Sequence, residues 1–133
     1  MSPLEMQRIL YIEDEPNIQA VARMALEEIG GFTVAVAGSG AEGIALARDF
    51  APQLILLDVM MPGLDGFGTF RELQKDALLR KIPVVFMTAK IQSSEIASYL
   101  ELGALAVIPK PFDPTTLSDE LKALWEKHHA SLT

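Results

Sequence analysis

Four places in this chain carry side chains able to hold or transfer charge: Glu13-Asp14-Glu15, Asp58, Thr88-Ala89-Lys90 and Lys110-Pro111-Phe112. Asp58 is the most informative. It closes the apolar run Leu54-Ile55-Leu56-Leu57 and precedes Val59-Met60-Met61-Pro62-Gly63-Leu64-Asp65-Gly66, whose Pro-Gly and Asp-Gly pairs mark a loop. Such an apolar run reads as a strand buried on both faces. Packing gives that strand no reason to end in a carboxylate. An Asp displayed at the carboxyl end of a central strand stands where open α/β sheets bind ligands.

Singly, each feature has a plain reading. Acidic residues favour helix starts, and a lysine or threonine beside a strand is ordinary. Together they make a chemical set. Two carboxylates ~5 Å apart repel by about 3 kcal/mol at an effective dielectric of 20, so a gathered trio shifts its pKa values or recruits a cation. Oxygen donors of this kind suit Mg²⁺. Lys110 adds a compact positive charge and Thr88 a hydrogen-bond donor. A carboxylate nucleophile, a hard cation, a lysine and a hydroxyl describe phosphoryl transfer onto Asp58.

The elements that must position these groups alternate. Strands are expected at Arg8–Ile12, Thr33–Ala37, Leu54–Asp58, Ile82–Thr88 and Leu105–Ile108, the last stopped by Pro109. Helices are expected at Asn17–Ile29, Ala41–Phe50, Phe67–Gln74, Ser94–Leu102 and Thr115–Lys127. Regular β-α alternation implies right-handed crossovers and a parallel sheet covered on both faces. All the strand ends then project from one edge. Pro16 suits a first helical position, and Ser39 with Glu42 matches a capping box. Gly30-Gly31 and Gly103 stop helices, and Asp113-Pro114 opens the last one. Leu117, Leu121, Leu124 and Trp125 have the spacing of a core-facing stripe. His128-His129 read as a frayed tail rather than a metal pair, and Met60-Met61 as loop packing.

Composition narrows the function classes. The 133 residues are 50% hydrophobic and 22% charged, as in one compact domain. A net charge of −7 argues against direct binding to nucleic acid or anionic lipid. There is no cysteine, which removes disulfides and thiolate metal sites. Neither a signal peptide nor a membrane span is legible, so a cytoplasmic protein is expected.

The motifs Ile9-Leu10-Tyr11-Ile12-Glu13-Asp14-Glu15, Leu57-Asp58 through Asp65-Gly66, Met87-Thr88-Ala89-Lys90 and Gly103-Ala104 with Lys110-Pro111-Phe112 occur in order. In this the chain resembles a response-regulator receiver domain of two-component signalling, from about Arg8 to Lys127. The resemblance implies a five-stranded doubly wound parallel sheet of order 2-1-3-4-5, flavodoxin-like, in one stand-alone domain. It implies that Asp58 is the phosphoacceptor and that Asp14, Asp58 and the Met60 backbone carbonyl bind Mg²⁺, with Glu13 acting through a metal-bound water. Thr88 and Lys110 would contact the phosphoryl group, Ala89 would leave space for it, and the Lys110-Pro111 bond would be cis. Met60 and Lys90 would flank the phosphoryl group. The implied partners are a histidine kinase or histidine phosphotransfer protein and a downstream protein. The output face would lie around the fourth helix, fifth strand and fifth helix, and the only chemistry would be the domain's own phosphorylation and dephosphorylation.

One departure stands out. Such domains usually carry Tyr or Phe where this chain has Val107, so the aromatic readout coupled to the threonine is absent or moved. Movement of the Ala89–Ser94 loop and fourth helix is the expected substitute. Two other readings compete. A pseudo-receiver that binds partners without phosphorylation draws support from Val107 and is opposed by intact Asp14, Asp58, Thr88 and Lys110. An aspartyl-nucleophile phosphatase needs a second Asp where Met60 stands. A nucleotide site is disfavoured by the acidic, glycine-free first turn.

Overall fold

The computed structural model describes residues 6–61, 63, 65–89 and 93–131. In chain order its main elements are β1 (Arg8–Ile12), α1 (Pro16–Met24), β2 (Thr33–Ala37), α2 (Gly40–Phe50), β3 (Leu54–Asp58), α3 (Gly66–Lys75), β4 (Val84–Thr88), α4 (Ser93–Glu101), β5 (Ala106–Pro109) and α5 (Leu117–Ser131). The strands form one sheet of order β2-β1-β3-β4-β5, and every neighbouring pair is parallel. This is the expected topology.

Alternation along each strand divides the core in two. Ile9, Tyr11, Leu54, Leu56, Val85 and Met87 face a cluster with Ala22 and Leu26 before β2 and Leu117, Leu121 and Trp125 of α5. Leu10, Ile12, Ile55, Leu57 and Phe86 face the other, with Ala47, Phe70, Leu73 and Tyr99. The central strand β3 is buried along its whole length, as a strand covered on both faces must be.

Several boundaries differ from the sequence reading, each for a local reason. The first helix ends in a π turn over Ala25–Ile29, where the Gly30 N–H donates to the Ala25 carbonyl at 3.1 Å. A Cβ on Gly30 would lie 2.3 Å from Ser118 Oγ, so the glycine lets α5 approach closely. The fourth strand begins at Val84 rather than Ile82. The Ile82 N–H closes the 3-10 turn Leu79–Lys81, and Pro83 has no N–H to offer. The fifth strand continues through Pro109, since the next N–H, on Lys110, still donates to the Thr88 carbonyl at 3.0 Å. Pro109 is tolerated there because β5 is an edge strand.

Two cap expectations are refined. Ser39 Oγ accepts from the Glu42 N–H at 3.2 Å, but Glu42 reaches back to the Gly38 N–H rather than to Ser39. Asp113 accepts from the Thr115 N–H and hydroxyl, and the regular helix starts later, at Leu117. The frayed tail is overturned. α5 runs to Ser131, and the His129 ring stacks on Trp125 with centroids 4.8 Å apart.

Candidate functional site

The ladder continues one bond beyond three strands, and those bonds aim the site. The Glu13 N–H donates to the Ala37 carbonyl, Val59 to Met87, and Lys110 to Thr88, each at 3.0 Å. Glu13, Asp58, Thr88 and Lys110 are thereby anchored at the same edge. The turn after Asp58 is closed by the Gly66 N–H on the Val59 carbonyl at 3.1 Å. A Cβ at Gly66 would sit 2.6 Å from the Asp58 carbonyl oxygen, so the start of α3 can lie against Asp58 only because residue 66 is glycine. Asp65 caps that helix by accepting from the Gly68 N–H at 2.8 Å.

The charged groups converge. Carboxylate oxygens of Glu13, Asp14 and Asp58 all lie within 4.8 Å of one another. Lys110 Nζ is 2.7 Å from Glu13 Oε1 and 3.3 Å from Asp58 Oδ1. Glu13 and Asp58 are each 1% exposed. Burial pushes the Glu13 carboxyl above its ordinary range, neighbouring Asp58 adds to this, and Lys110 offsets part of it. Burial works against the Lys110 ammonium, but Glu13 and Asp58 outweigh it and hold its pKa above the usual lysine value. Three carboxylates against one ammonium leave surplus negative charge at a set of oxygen donors, which suits a hard divalent cation. The Met60 N–H donates to Asp58 Oδ1 at 3.3 Å, and the Met60 side chain is exposed.

Thr88, also 1% exposed, bounds the other flank of Asp58. Its side chain acts on the Tyr99 hydroxyl of α4, offsetting part of the rise that burial gives that phenol's pKa. The Tyr99 ring packs on Phe67 and Phe86 at centroid distances of 5.1 and 5.5 Å. Thr88 therefore has an aromatic partner, supplied by α4 instead of β5, while Val107 is only half-buried beside the same cluster. The sequence reading missed Tyr99. Its sole signal was a lone aromatic in the pattern of the fourth helix. Tyr11 was also missed as a site residue, although its hydroxyl donates to Glu13 Oε1 at 3.1 Å. The Lys110-Pro111 bond is cis, as the resemblance implies. Ala89 is exposed at the crevice. Lys90, Pro62 and Leu64 lie outside the described residues, as do Ile91 and Gln92 of the loop expected to move.

Beside Asp58 opens a crevice of about 560 Å³. Ile18, Val21, Met60 and Phe112 form its apolar walls, with Asp58 and Lys110 at its base.

The chain is similar in sequence and fold to known proteins. The family described as response regulator receiver domain matches residues 9–122. Protein PilH of Pseudomonas aeruginosa is 38% identical over 119 residues, covering 90% of this chain and 98% of PilH. The DNA-binding response regulator MtrA of Mycolicibacterium smegmatis is 35% identical over 117 residues, 88% of this chain but 50% of MtrA. This chain likewise spans about half of the response regulator Rre1 of Synechocystis. Among solved structures, the chemotaxis protein CheY4 of Vibrio cholerae superposes with a TM-score of 0.82 at 25% identity, over 90% of this chain and 99% of CheY4. From the strand order, the convergent edge and the match over residues 9–122, the chain belongs to the response regulator receiver domain family.

Proposed function

We propose that this protein acts as a receiver that accepts a phosphoryl group on Asp58 from a phosphohistidine, on a histidine kinase or a histidine phosphotransfer protein, and signals by binding another protein or passing the group on. The observation that carries this reading is Asp58, 1% exposed, with the Lys110 ammonium 3.3 Å from its Oδ1 and two further carboxylates beside it. A buried aspartate so placed has a neutralising partner for an incoming anion and ligands for a cation.

In the reaction, an Asp58 carboxylate oxygen attacks phosphorus as the P–N bond to the donor imidazole breaks, and the imidazole keeps the bonding pair. Lys110 then shifts from the carboxylate pair to the transferred oxygens, and the Thr88 hydroxyl donates to another. Asp14, Asp58 and the Met60 carbonyl would hold Mg²⁺, with Glu13 acting through its water shell. When bound, the ion supplies neutralisation of the phosphoryl oxygens. Because residue 60 is Met, no second acid stands two residues beyond Asp58 to expel a phosphatase product. The apolar walls of Ile18, Val21, Met60 and Phe112 suit the nonpolar face of a donor protein presenting its histidine to the crevice. No helix among the described residues is long and apolar enough to cross a membrane, which accords with a cytoplasmic site of action.

Acetyl phosphate tests the assignment. Intact-mass analysis should show one added phosphoryl group with Mg²⁺ present, none in its absence, and none in Asp58→Asn. Equal modification of Asp58→Asn would overturn the reading.

A further inference from the structure

Tyr11 lies in β1, flanked in register by Val36 of β2 and Leu56 of β3, and is fully buried. Its ring belongs to the apolar cluster under α5, a place where phenylalanine would pack equally well. The hydroxyl is the unexplained part. Burying a hydroxyl is costly unless it is hydrogen-bonded. Two acceptors are near it, the Met87 thioether at 3.6 Å and Glu13 Oε1 at 3.1 Å. Sulfur is a weak acceptor, so Glu13 satisfies the group.

The effect on Glu13 is directional. Its Oε1 receives both the Tyr11 hydroxyl and the Lys110 ammonium, at 3.1 and 2.7 Å. Its Oε2 receives a long contact from the Glu15 N–H at 3.4 Å. Oε1 is thus tied down from the sheet side while Oε2 is more available to the carboxylate cluster. A glutamate has one more rotatable bond than an aspartate, and a buried carboxylate with that freedom needs an anchor to stay in one pose. Tyr11 supplies it from inside the core.

We propose that Tyr11 is a positioning residue for the divalent-cation site, required because position 13 is Glu rather than Asp: its hydroxyl holds Oε1 so that Oε2 faces the cation's hydration shell. This rests on the metal-binding role assigned to Glu13, Asp14 and Asp58 under the proposed function. Hydrogen bonds that orient a ligand's carboxylate commonly change metal affinity by 10-fold or more. The dependence on residue 13 separates this role from simple packing. A shorter Asp side chain withdraws the carboxylate from Tyr11, so the hydroxyl then has nothing to orient.

The test is Mg²⁺ affinity of the whole chain by isothermal titration calorimetry, in a cycle of parent, Tyr11→Phe, Glu13→Asp and the double variant, with Met87→Leu as a packing control. Thermal melts without metal check that each variant folds, and phenylalanine keeps the ring. Tyr11→Phe should weaken Mg²⁺ about tenfold in the parent and less than about twofold in the Glu13→Asp background, so that the cycle returns a clear coupling between residues 11 and 13. Met87→Leu should leave affinity unchanged. An equal loss in both backgrounds, no loss in the parent, or an equal loss from Met87→Leu would overturn the proposal while leaving the metal site intact. A parent that binds no Mg²⁺ would instead overturn the metal reading, and this inference with it.

Discussion

The two flanks of Asp58 are built on different physics. Toward β1 and β5 lie Glu13, Asp14 and Lys110, charged groups held within a few ångströms, with Lys110 Nζ shared between two carboxylates. Toward β4 and α4 lie Thr88, Tyr99, Phe86 and Phe67, a hydroxyl set against packed rings. Electrostatic terms respond to pH, salt and bound cations. Ring packing responds to shape and volume and is nearly indifferent to all three. One side is thus suited to capturing a charged group, and the other to registering where Thr88 points. At the first turn of α4, Glu95 Oε2 finds no hydrogen-bond partner among the described residues, so α4 is less completely satisfied than the strands it covers.

The contrast is easiest to break on the packed side. Tyr99 is 6% exposed, and Tyr99→Ala should cost about 3 kcal/mol, the usual scale for deleting a buried ring. Urea melts at several pH values, with and without Mg²⁺, should return the same loss each time. A loss that shrinks with Mg²⁺ or varies with pH would mean that the flanks are not separate.

A smaller effect of opposite sign is expected on the charged side. Asp14→Asn removes one of three clustered carboxylates and should raise the metal-free melting temperature, by about 1 kcal/mol of relieved repulsion. It should also abolish the further rise that Mg²⁺ gives the parent, since a ligand that binds only the folded state stabilises it. A drop in melting temperature without metal would show that Asp14 is structurally paired instead.

The smallest effect concerns pH. Burial raises the Glu13 pKa in the folded protein, so the folded state holds that proton more tightly than the unfolded chain does. Its stabilising contribution is complete below the ordinary carboxylate range and is lost as pH rises through the folded value. Glu13→Gln should flatten the metal-free stability profile over that window. If the parent gains stability relative to Glu13→Gln as pH rises there, Lys110 rather than burial governs this group.

Much of the charged flank was legible without coordinates. Glu13, Asp58, Thr88 and Lys110 each follow an apolar run, and a parallel sheet brings such positions to one edge. The packed flank was not legible in the same way. Val107 marked a missing aromatic, but nothing in the local pattern said that Tyr99 would reach Thr88. That depends on how α4 is rotated against β4, which follows from how its side chains fit Phe67 and Phe86. Tyr11 was hidden for a related reason. In a strand, alternation assigns its ring to the core, and alternation is silent on where the hydroxyl at the ring's far end arrives.

By itself the sequence determined the five-fold β-α alternation, the central place of β3 and the identity of the charged edge, because apolar period, turn residues and chain-end signals are local and repeat five times; the strand order came only through the family resemblance. It did not determine the π turn before Gly30, the reach of α5 to Ser131, or the partners of Tyr11 and Tyr99. Those were decided by tertiary packing. Gly30 gives way to Ser118 of α5, His129 stacks on Trp125, the Tyr11 hydroxyl finds Glu13, and the Tyr99 ring packs on Phe67 and Phe86. Packing contacts of this kind depend on side chains from separate elements meeting at van der Waals distance, and no periodicity along one element carries the shape of another.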